Sequence, residues 1–253
     1  MTTVRAIITG ATGTVGLACA RALAEQGCEL TLVGRRRTAL DALAAEFDPS
    51  GLRSEVIVWD QASPDLVDVP QGWYSERLVL VNAAAVFGPL APFAEADLSA
   101  WTSTIAVNFL GAASLIHQLL PIMIDAGWGR VVQISSAAAR DAPGPFNTAY
   151  AVSKSALDRL LAQLATELGG TGVTVCSLHP GEIRSAMRDD IADQAADDAR
   201  LGGWSGWAAR TAAEGDDPAI AAQWVARLLD DDVAAAVHGR FAYPQHGGNT
   251  ERL

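Results

Sequence analysis

Six short apolar runs alternate with longer Ala- and Leu-rich segments along this chain. The runs are continuously apolar, rich in β-branched residues and as long as buried strands: Val4–Thr9, Glu29–Val33, Glu55–Trp59, Leu78–Asn82, Arg130–Ser135 and Val173–Leu178. Three- and four-residue apolar spacing predicts helices near 14–26, 37–47, 97–125 and 149–168. This alternation predicts a doubly wound α/β fold, with a parallel sheet between two helical layers and ligands beyond the carboxyl ends of the strands.

The size of the chain leaves room for one large domain or two small ones. It has 253 residues, and 50% of them are hydrophobic. Because the pattern runs through nearly the whole length, we expect one domain over residues 1–253. Residues 184–216 interrupt the alternation of strands and helices, because they contain Trp204, Trp207 and many Asp but no strand pattern. We predict a helical flap over a site there, and an irregular connection is the alternative.

The charge excludes several classes of function. Acidic residues outnumber basic ones by 29 to 18, which gives a formal net charge of −11. Such a chain lacks the basic face that nucleic acids or anionic membranes require. No window approaches the roughly 18 apolar residues of a membrane span, and no export signal is seen. The three cysteines (Cys19, Cys28 and Cys176) have no metal-type spacing, so we expect reduced thiols, no metal and a cytoplasmic protein.

A glycine-rich turn follows the first predicted strand and opens the first predicted helix. Glycines let backbone N–H groups approach a pyrophosphate, and the helix N-terminus adds a favourable partial charge. This placement favours a dinucleotide site over a purely structural turn. The predicted contacts in the turn are Gly10, Thr12, Gly13, Thr14, Val15 and Gly16.

The end of the second strand indicates which dinucleotide is bound. Where an NAD-specific site places a carboxylate, this chain has Gly34 followed by Arg35 and Arg36. A guanidinium without a nearby acid suits a 2′-phosphate, so we expect NADP(H) as the preferred cofactor, with NAD(H) possible. The alternative is a solvated cluster at a helix start. Asp60, after the third strand, could accept a hydrogen bond from adenine or cap a turn.

A tyrosine and a lysine open the Leu-rich fourth helix. The four-residue step from Tyr150 to Lys154 puts both side chains on one helix face. An ammonium near a phenol lowers the phenol pKa, so Tyr150 could deliver or remove a proton. Ser135 and Ser136 end the fifth strand, and Pro180 follows the sixth. These groups therefore open at the same edge of the sheet as the glycine turn.

Seven motifs stand in a fixed order: the glycine turn, Asn82-Ala83-Ala84-Ala85, Val107-Asn108, Leu120-Pro121-Ile122-Met123, Ile134-Ser135-Ser136, Tyr150 to Lys154, and Pro180-Gly181. With them the sequence resembles the short-chain dehydrogenase/reductase family, in its single-domain branch, over residues 4–185. The resemblance implies a Rossmann-like three-layer α/β/α fold of about seven strands. It also implies an NADP(H)-dependent oxidoreductase that interconverts a ketone and a secondary alcohol, as a homodimer or homotetramer.

The resemblance also implies a role for each of four residues. Tyr150 is the acid/base, Ser136 hydrogen-bonds the substrate oxygen, and Lys154 holds the nicotinamide ribose and lowers the pKa of Tyr150. Asn108 positions a water that links Lys154 to solvent. Beyond the glycine turn, Arg35, Arg36 and Asp60, the implied cofactor contacts are Asn82, Ala83, Ala84, Tyr150, Lys154, Pro180, Gly181, Ile183 and Ser185.

The sequence departs from the family pattern in four places, one of them the mild change to Asn82-Ala83-Ala84-Ala85 from the commoner N-N-A-G or N-A-G. Its glycine spacing, G-x-x-G-x-x-G, is typical of the family's extended branch, and Ser185 stands where threonine is usual. Ser136 precedes Tyr150 by fourteen residues, one more than the family pattern. This predicts an inserted residue near Asp141–Phe146 and leaves Ser135 as an alternative to Ser136.

The predicted substrate pocket has aromatic and aliphatic walls, which suit a partly apolar or cyclic carbonyl compound. Its predicted lining is Val86, Phe87, Phe93, Arg140, Phe146, Met187, Trp204 and Trp207. Arg140 or Arg184 could meet an anionic group, or simply face solvent. Two other functions stay open: a lyase or epimerase that uses the same four residues, and a non-catalytic nucleotide-binding regulator. Gly111, Ala112 and Ala113 allow close helix packing, either between subunits or on the sheet.

Overall fold

A computed structural model describes residues 3–47, 51–63, 65, 67–70, 72–73, 77–140, 144–196 and 198–253. In this part of the chain, eight strands form one sheet. They are β1 (Val4–Thr9), β2 (Glu29–Gly34), β3 (Ser54–Val58), β4 (Arg77–Asn82), β5 (Gly129–Ile134), β6 (Val173–Leu178), β7 (Arg240–Tyr243) and β8 (Asn249–Arg252). Their order is β3-β2-β1-β4-β5-β6-β7-β8, and only the pairing of β7 with β8 is antiparallel.

The described helices lie on both faces of the sheet. They are α1 (Thr14–Glu25), α2 (Arg37–Ala45), α3 (Leu98–Ile105), α4 (Ala112–Asp125), α5 (Thr148–Glu167), α6 (Ala186–Ala195), α7 (Gly202–Glu214), α8 (Pro218–Arg227) and α9 (Asp231–Ala236). Successive strand residues point to opposite faces. Ala6 and Ile8 of β1 therefore join the core under α1, α2 and α8, while Ile7 joins the core under α4 and α5. The predicted three-layer fold is confirmed.

The strand register brings the carboxyl ends of five strands level with one another. One row across the sheet holds Val33, Thr9, Asn82, Gln133 and Ser177. The strand order reverses between β1 and β4, and a crevice opens at such a switch point in a doubly wound sheet. The loops that follow these strands must therefore share one edge.

The predicted helix over residues 97–125 is interrupted. A π-helical segment, Ala106–Gly111, separates α3 from α4, and such segments often lie at functional sites. A β-carbon at Gly111 would lie 2.0 Å from the backbone oxygen of Gln61. The small residue at position 111 therefore packs against the segment after β3, within the same chain.

The same region corrects the expectation that no window could span a membrane. Leu98–Asp125 is a 28-residue helical run with a mean hydropathy of 1.6, long and apolar enough to cross one. However, 44% of its most apolar window is buried inside the protein, where Leu115 and Leu119 pack on the sheet. These are the features of a core helix in a soluble protein.

Residues 184–216 form α6, a short 3₁₀ turn and α7, apart from position 197, which lies outside the described residues. The segment is therefore helical, as a flap requires, and not an irregular connection. Two further helices, α8 and α9, were not predicted. Asp217 caps α8 ahead of Pro218, a readable helix-start pattern. The strands β7 and β8 also lie beyond the six predicted ones, and β8 forms that edge of the sheet.

Candidate active site

A cavity of about 800 Å³ opens at the carboxyl ends of the strands. All but two of the predicted site residues line it: Gly10, Thr12, Gly13, Thr14, Val15, Gly16, Arg35, Arg36, Asp60, Ala83, Ala84, Ser136, Tyr150, Lys154, Pro180, Gly181, Ile183 and Ser185. The fold thus brings the glycine turn and the Tyr150–Lys154 pair into one space.

The glycine turn is packed too tightly for side chains. Gly10 has a positive φ of 62°, and a β-carbon there would lie 2.8 Å from the backbone of Ala84. A β-carbon at Gly16 would lie 2.3 Å from the Gly10 carbonyl oxygen. Gly13 closes the turn by donating its N–H to that oxygen at 2.8 Å. The glycines therefore keep the backbone exposed at the start of α1, as a phosphate cradle requires.

The loop after β4 is tied to the same turn. The Thr9 hydroxyl oxygen accepts hydrogen bonds from the N–H groups of Ala83 and Ala84, both at 3.2 Å. Asn82, a predicted cofactor contact, lies below the wall of the cavity. Its buried amide has no hydrogen-bond partner among the described residues. Thr9 was not among the predicted site residues, although its position just before the first glycine could have indicated a role in the turn.

Two of three consecutive arginines reach the far end of the cavity. Arg35 and Arg36 line it, and Arg36 donates to the Thr12 hydroxyl at 3.3 Å. Arg37 forms an ion pair with Asp41 at 2.9 Å on the exposed side of α2. All three side chains are exposed to solvent, and Arg35 and Arg36 differ from Arg37 in lining the cavity.

Asp60 caps a turn, which is one of the two alternatives left open by the sequence, and its contact with adenine stays a prediction. Its Oδ1 accepts a hydrogen bond from the Ala62 N–H at 3.0 Å, which caps a turn, and the residue also lines the cavity.

The reactive end of the cavity holds two hydroxyls and an ammonium. Ser136 lies close enough to Tyr150 to oppose the rise in the pKa of the phenol. The Lys154 ammonium donates to the Ile134 carbonyl at 2.8 Å and lies 5.6 Å from the centre of the Tyr150 ring. Ser136 is held by its own hydrogen bond from the Ala138 N–H at 3.2 Å. The serine hydroxyl, the phenol and the ammonium therefore lie together in one part of the cavity.

Burial controls the protonation of this pair. It raises the pKa of Tyr150 to about 12, with the Glu182 carboxylate adding to the effect and the Ser136 hydrogen bond opposing it. Burial lowers the pKa of Lys154 to about 8, opposed by Asp158. The Tyr150 pKa therefore moves in the opposite direction to the expected lowering, because desolvation of the phenol is the largest influence on it. At neutral pH the phenol is protonated and the amine is charged.

Asn108 is close to the cavity but outside its lining. It is fully buried in the π-helical segment, where Oδ1 accepts from the Val86 N–H at 2.9 Å. Its amide nitrogen donates to the Val86 carbonyl at 2.8 Å and to the Ser153 hydroxyl at 3.0 Å. Ser153 in turn donates to the Tyr150 carbonyl at 2.7 Å. Asn108 thus ties the loop after β4 to the helix that carries Tyr150.

Ser135 serves another purpose than its neighbour. Its hydroxyl donates to the buried Asp158 carboxylate at 3.0 Å, and Ser177 donates to the same carboxylate at 2.7 Å. These bonds anchor α5 to β5 and β6. Ser136 is therefore the better placed of the two serines. Residues 141–143 of the expected insertion lie outside the described residues; Phe146, at its end, has a positive φ of 77°.

Residues 184–216 contribute Trp204 and Trp207 to an aromatic wall of the cavity. Phe87 contacts the Tyr150 ring at 4.9 Å and the Trp204 ring at 5.4 Å, and Trp204 contacts Trp207 at 6.0 Å. Val86 and Met187 line the cavity as expected.

Three of the expected wall residues lie elsewhere. Phe93 is exposed beside Trp101, Arg140 pairs with Glu251, and Phe146 is outside the lining.

Four charged residues that were not predicted as site residues also line the cavity: Glu182, Arg188, Arg200 and Arg210. Glu182 stands inside the Pro180-Gly181 motif and accepts a hydrogen bond from the Trp207 ring N–H. The arginines are on α6 and α7, in a segment whose sequence has no strand pattern and many acids. Only the packing of these helices shows which of its charges face inward.

The cavity fits a nicotinamide dinucleotide. The glycine turn leaves backbone that a β-carbon would obstruct, and Arg35 and Arg36 face the end where a ribose phosphate would lie. Among the described residues, no group of three or more His, Cys, Asp or Glu could hold a metal ion.

Comparisons with known proteins agree with this geometry. A family model described as short chain dehydrogenase matches residues 4–196. Sulfoacetaldehyde reductase of Chromohalobacter salexigens is 34% identical over 214 residues, which cover 82% of this chain and 84% of that protein. A short chain dehydrogenase of Pseudocercospora fijiensis is 34% identical over 188 residues, 72% of this chain but 60% of that longer protein.

A solved structure with NADP bound is also similar. It is described as an NAD(P) dependent gluconate 5-dehydrogenase from Beutenbergia cavernae, and it is 30% identical. It superimposes with a TM-score of 0.77 over 95% of this chain and 94% of its own.

The charge state of Lys154 predicts how stability changes with pH. In the folded protein its pKa is about 8, against an ordinary value of 10.5. Between these values the unfolded chain binds more protons, so the stability of the wild type rises with pH in that window. Lys154→Met removes the buried charge. We expect its Tm to equal or exceed that of the wild type at pH 7 and this advantage to shrink between pH 8 and 10.

Thermal unfolding followed by circular dichroism measures this difference. Arg159→Gln, at an exposed cation on the same helix, is the control and should show no such dependence. An advantage that grows as the pH rises would contradict a lowered Lys154 pKa.

Proposed function

This chain belongs to the short-chain dehydrogenase/reductase family of NAD(P)-dependent oxidoreductases, and we propose that it interconverts a ketone and a secondary alcohol with NADP(H). The observation that carries the proposal is that Ser136, Tyr150 and Lys154 line the same cavity as the glycine turn. A phenol, a hydroxyl and a buried ammonium are the groups needed to polarise a carbonyl and move one proton.

The cofactor site uses both ends of the cavity. When bound, the nicotinamide supplies or accepts the hydride, which no protein side chain can do. The glycine turn holds the pyrophosphate with its backbone N–H groups and the N-terminus of α1. Lys154 and Tyr150 hold the nicotinamide ribose, and Pro180, Gly181 and Ser185 line the nicotinamide end.

In the reductive direction Tyr150 is the acid. Its pKa of about 12 keeps the phenol protonated at neutral pH, ready to give its proton to the oxygen of the developing alkoxide. Ser136 donates a hydrogen bond to the same oxygen and orients the carbonyl. The Lys154 ammonium, charged below a pH of about 8, stabilises the phenolate that remains. Oxidation reverses the proton movement, with Tyr150 as the base.

Asn108 completes the proton path in this proposal. Its amide holds the loop after β4 and the first turn of α5 together through Val86 and Ser153. From that position it places a water between Lys154 and solvent, so that the used proton is replaced.

The preference for NADP(H) rests on Arg35 and Arg36. Both line the cavity beyond β2, and Gly34 stands where an NAD-specific site would carry an acid. A guanidinium pairs with a 2′-phosphate through several donors and gains little from a hydroxyl. NAD(H) is the weaker cofactor.

The substrate is a small carbonyl compound with an apolar or cyclic part. The wall beside Tyr150 is built from Phe87, Met187, Trp204 and Trp207, which exclude water and present flat apolar surface. Residues 184–216 act as the flap that carries three of these four.

A lyase or epimerase is the second candidate, favoured by the G-x-x-G-x-x-G spacing typical of the family's extended branch. A non-catalytic regulator has less support, because all four catalytic positions keep their side chains. We also propose one domain over residues 1–253, a homodimer or homotetramer formed through the long helices, and a cytoplasmic location consistent with three buried free thiols.

Tyr150→Phe removes only the hydroxyl of the proposed acid. We expect turnover to fall by about 100- to 10,000-fold, the usual contribution of a positioned acid. Affinity for NADPH should be nearly unchanged, because the ring and Lys154 remain. Nicotinamide absorbance at 340 nm with a panel of ketones measures turnover.

Tyr243→Phe is the matched control, since it deletes the same atom outside the cavity lining and should keep its activity. Substantial activity in Tyr150→Phe would show that another group is the acid.

Arg35→Gln tests the cofactor preference. Losing charge-assisted hydrogen bonds to a 2′-phosphate should lower kcat/KM for NADPH by about 10- to 100-fold and leave NADH little changed. Arg36→Gln should act in the same direction. Arg37→Gln, whose guanidinium is held by Asp41 outside the cavity, is the control. Equal losses with both cofactors, or an effect of Arg37→Gln as large, would overturn the assignment.

A further inference from the structure

Three arginines face the part of the cavity that lies beyond Tyr150. Arg188 comes from α6, and Arg200 and Arg210 come from the 3₁₀ turn and helix that follow. They stand among aromatic side chains in a protein with a net charge of −11. Inward-facing cations on an otherwise apolar wall are a recognition feature of a binding pocket.

Arg200 is already neutralised. Its guanidinium contacts both Glu95 oxygens at 3.0 Å and both Asp198 oxygens at 2.8–3.1 Å. Two carboxylates saturate its donors, so Arg200 fastens the flap to the body of the protein and leaves no charge for a ligand.

Arg188 keeps an unused donor. Its side chain is only 18% exposed, and it reaches Asp189 and the Ala208 carbonyl through its two terminal nitrogens. Its Nε–H is buried without a hydrogen-bond partner among the described residues. A buried donor left unsatisfied destabilises the protein unless a ligand or water supplies an acceptor. The Asp189 carboxylate is 61% exposed, so solvent screens part of its attraction for Arg188.

Arg210, an exposed side chain, supplies a second cation to the lining of the cavity. It lies three residues after Trp207 on α7, a spacing that places both side chains on one helix face. Within the described residues no carboxylate lies close enough to pair with its guanidinium. Arg188 and Arg210 therefore form a positive wall made by two packed helices.

The lining also carries the Glu182 carboxylate. It raises the pKa of Tyr150, and it accepts a hydrogen bond from the ring N–H of Trp207. The cavity therefore presents an acid held by Trp207 and cations from α6 and α7. A substrate anion would be repelled from the first and attracted to the second.

We infer that Arg188 and Arg210 bind an anionic group, a carboxylate or sulfonate, carried by the carbonyl substrate at the end away from its reacting carbon. This inference rests on the proposed reductase function and names the substrate class. A planar guanidinium fork pairs with such oxyanions through two parallel hydrogen bonds, and the free Nε–H of Arg188 is one such donor. The cofactor pyrophosphate is the other source of anionic oxygens in the cavity, and the test separates the two.

The experiment compares each acid with its neutral ester. 3-Oxobutanoate, 4-oxopentanoate and 5-oxohexanoate are assayed against their methyl esters with saturating NADPH. The wild type should prefer at least one acid by about tenfold or more in kcat/KM. Arg188→Gln and Arg210→Gln should each lose about 10- to 100-fold on that acid and little on its ester. Arg188→Lys, which keeps the charge, should retain part of the preference.

Arg184→Gln is the matched control, because Arg184 is exposed, near α6 and outside the cavity lining. Equal losses on acid and ester would assign Arg188 and Arg210 a structural role and overturn the inference. A weaker Kd for NADPH with unchanged acid preference would assign them to the pyrophosphate, and no acid preference in the wild type would also overturn it.

Quenching of tryptophan fluorescence separates this inference from the proposed function, since Trp204 and Trp207 lie in the wall. If esters are reduced without any preference for acids, the reductase function stands and the anion site fails. If no carbonyl compound is reduced but the acids bind more tightly than the esters, the anion site stands and the reductase function fails.

Discussion

The parallel register of the strands is the constraint on which the rest of this structure depends. It sets the last residues of five strands in one row, so every loop that follows them opens at one edge. Thr9 then fastens the loop after β4 to the glycine turn, and Asp158 fastens α5 to β5 and β6. Chemistry that needs a cofactor beside a proton donor follows from this arrangement, because neither group could reach the other from the opposite edge.

Burial then changes the pKa of both Tyr150 and Lys154. A tyrosine and a lysine in water would be a neutral phenol and a strongly basic amine, without influence on each other. In the cavity, desolvation raises the pKa of Tyr150 to about 12 and lowers that of Lys154 to about 8, so at neutral pH the phenol stays protonated and the ammonium stays charged but close to its pKa. The cost of burying the ammonium is offset by its hydrogen bond to the Ile134 carbonyl and by the Asp158 carboxylate four residues later. The Lys154 ammonium that the proposed reaction uses therefore lowers the stability of the folded protein.

Sequence periodicity was sufficient to predict the layers, the first six strands and the position of the cavity, because these depend on which side chains avoid water. It also placed Tyr150, Lys154 and the glycine turn, whose roles follow from spacing along one element. It failed where packing between distant elements decides the outcome. Whether Arg188 or Arg184 faces the cavity depends on how α6 and α7 pack, and Arg140 is held away by Glu251 of β8. The π-helical segment around Asn108 contacts Val86 and Ser153. The predicted fall in the Tyr150 pKa was wrong for the same reason, since burial of the phenol is a property of the folded protein.

Direct transfer of hydride from cofactor to substrate is the central claim, and isotopic labelling tests it most directly. NADPH carrying deuterium at C4 of the nicotinamide, prepared separately as each stereoisomer, is incubated with the enzyme and a ketone that it consumes. Mass spectrometry of the product should find an alcohol with one deuterium on the carbinol carbon from one of the two isomers. Product without deuterium from both isomers, or substrate consumed without net oxidation of NADPH, would contradict hydride transfer and favour a lyase or epimerase.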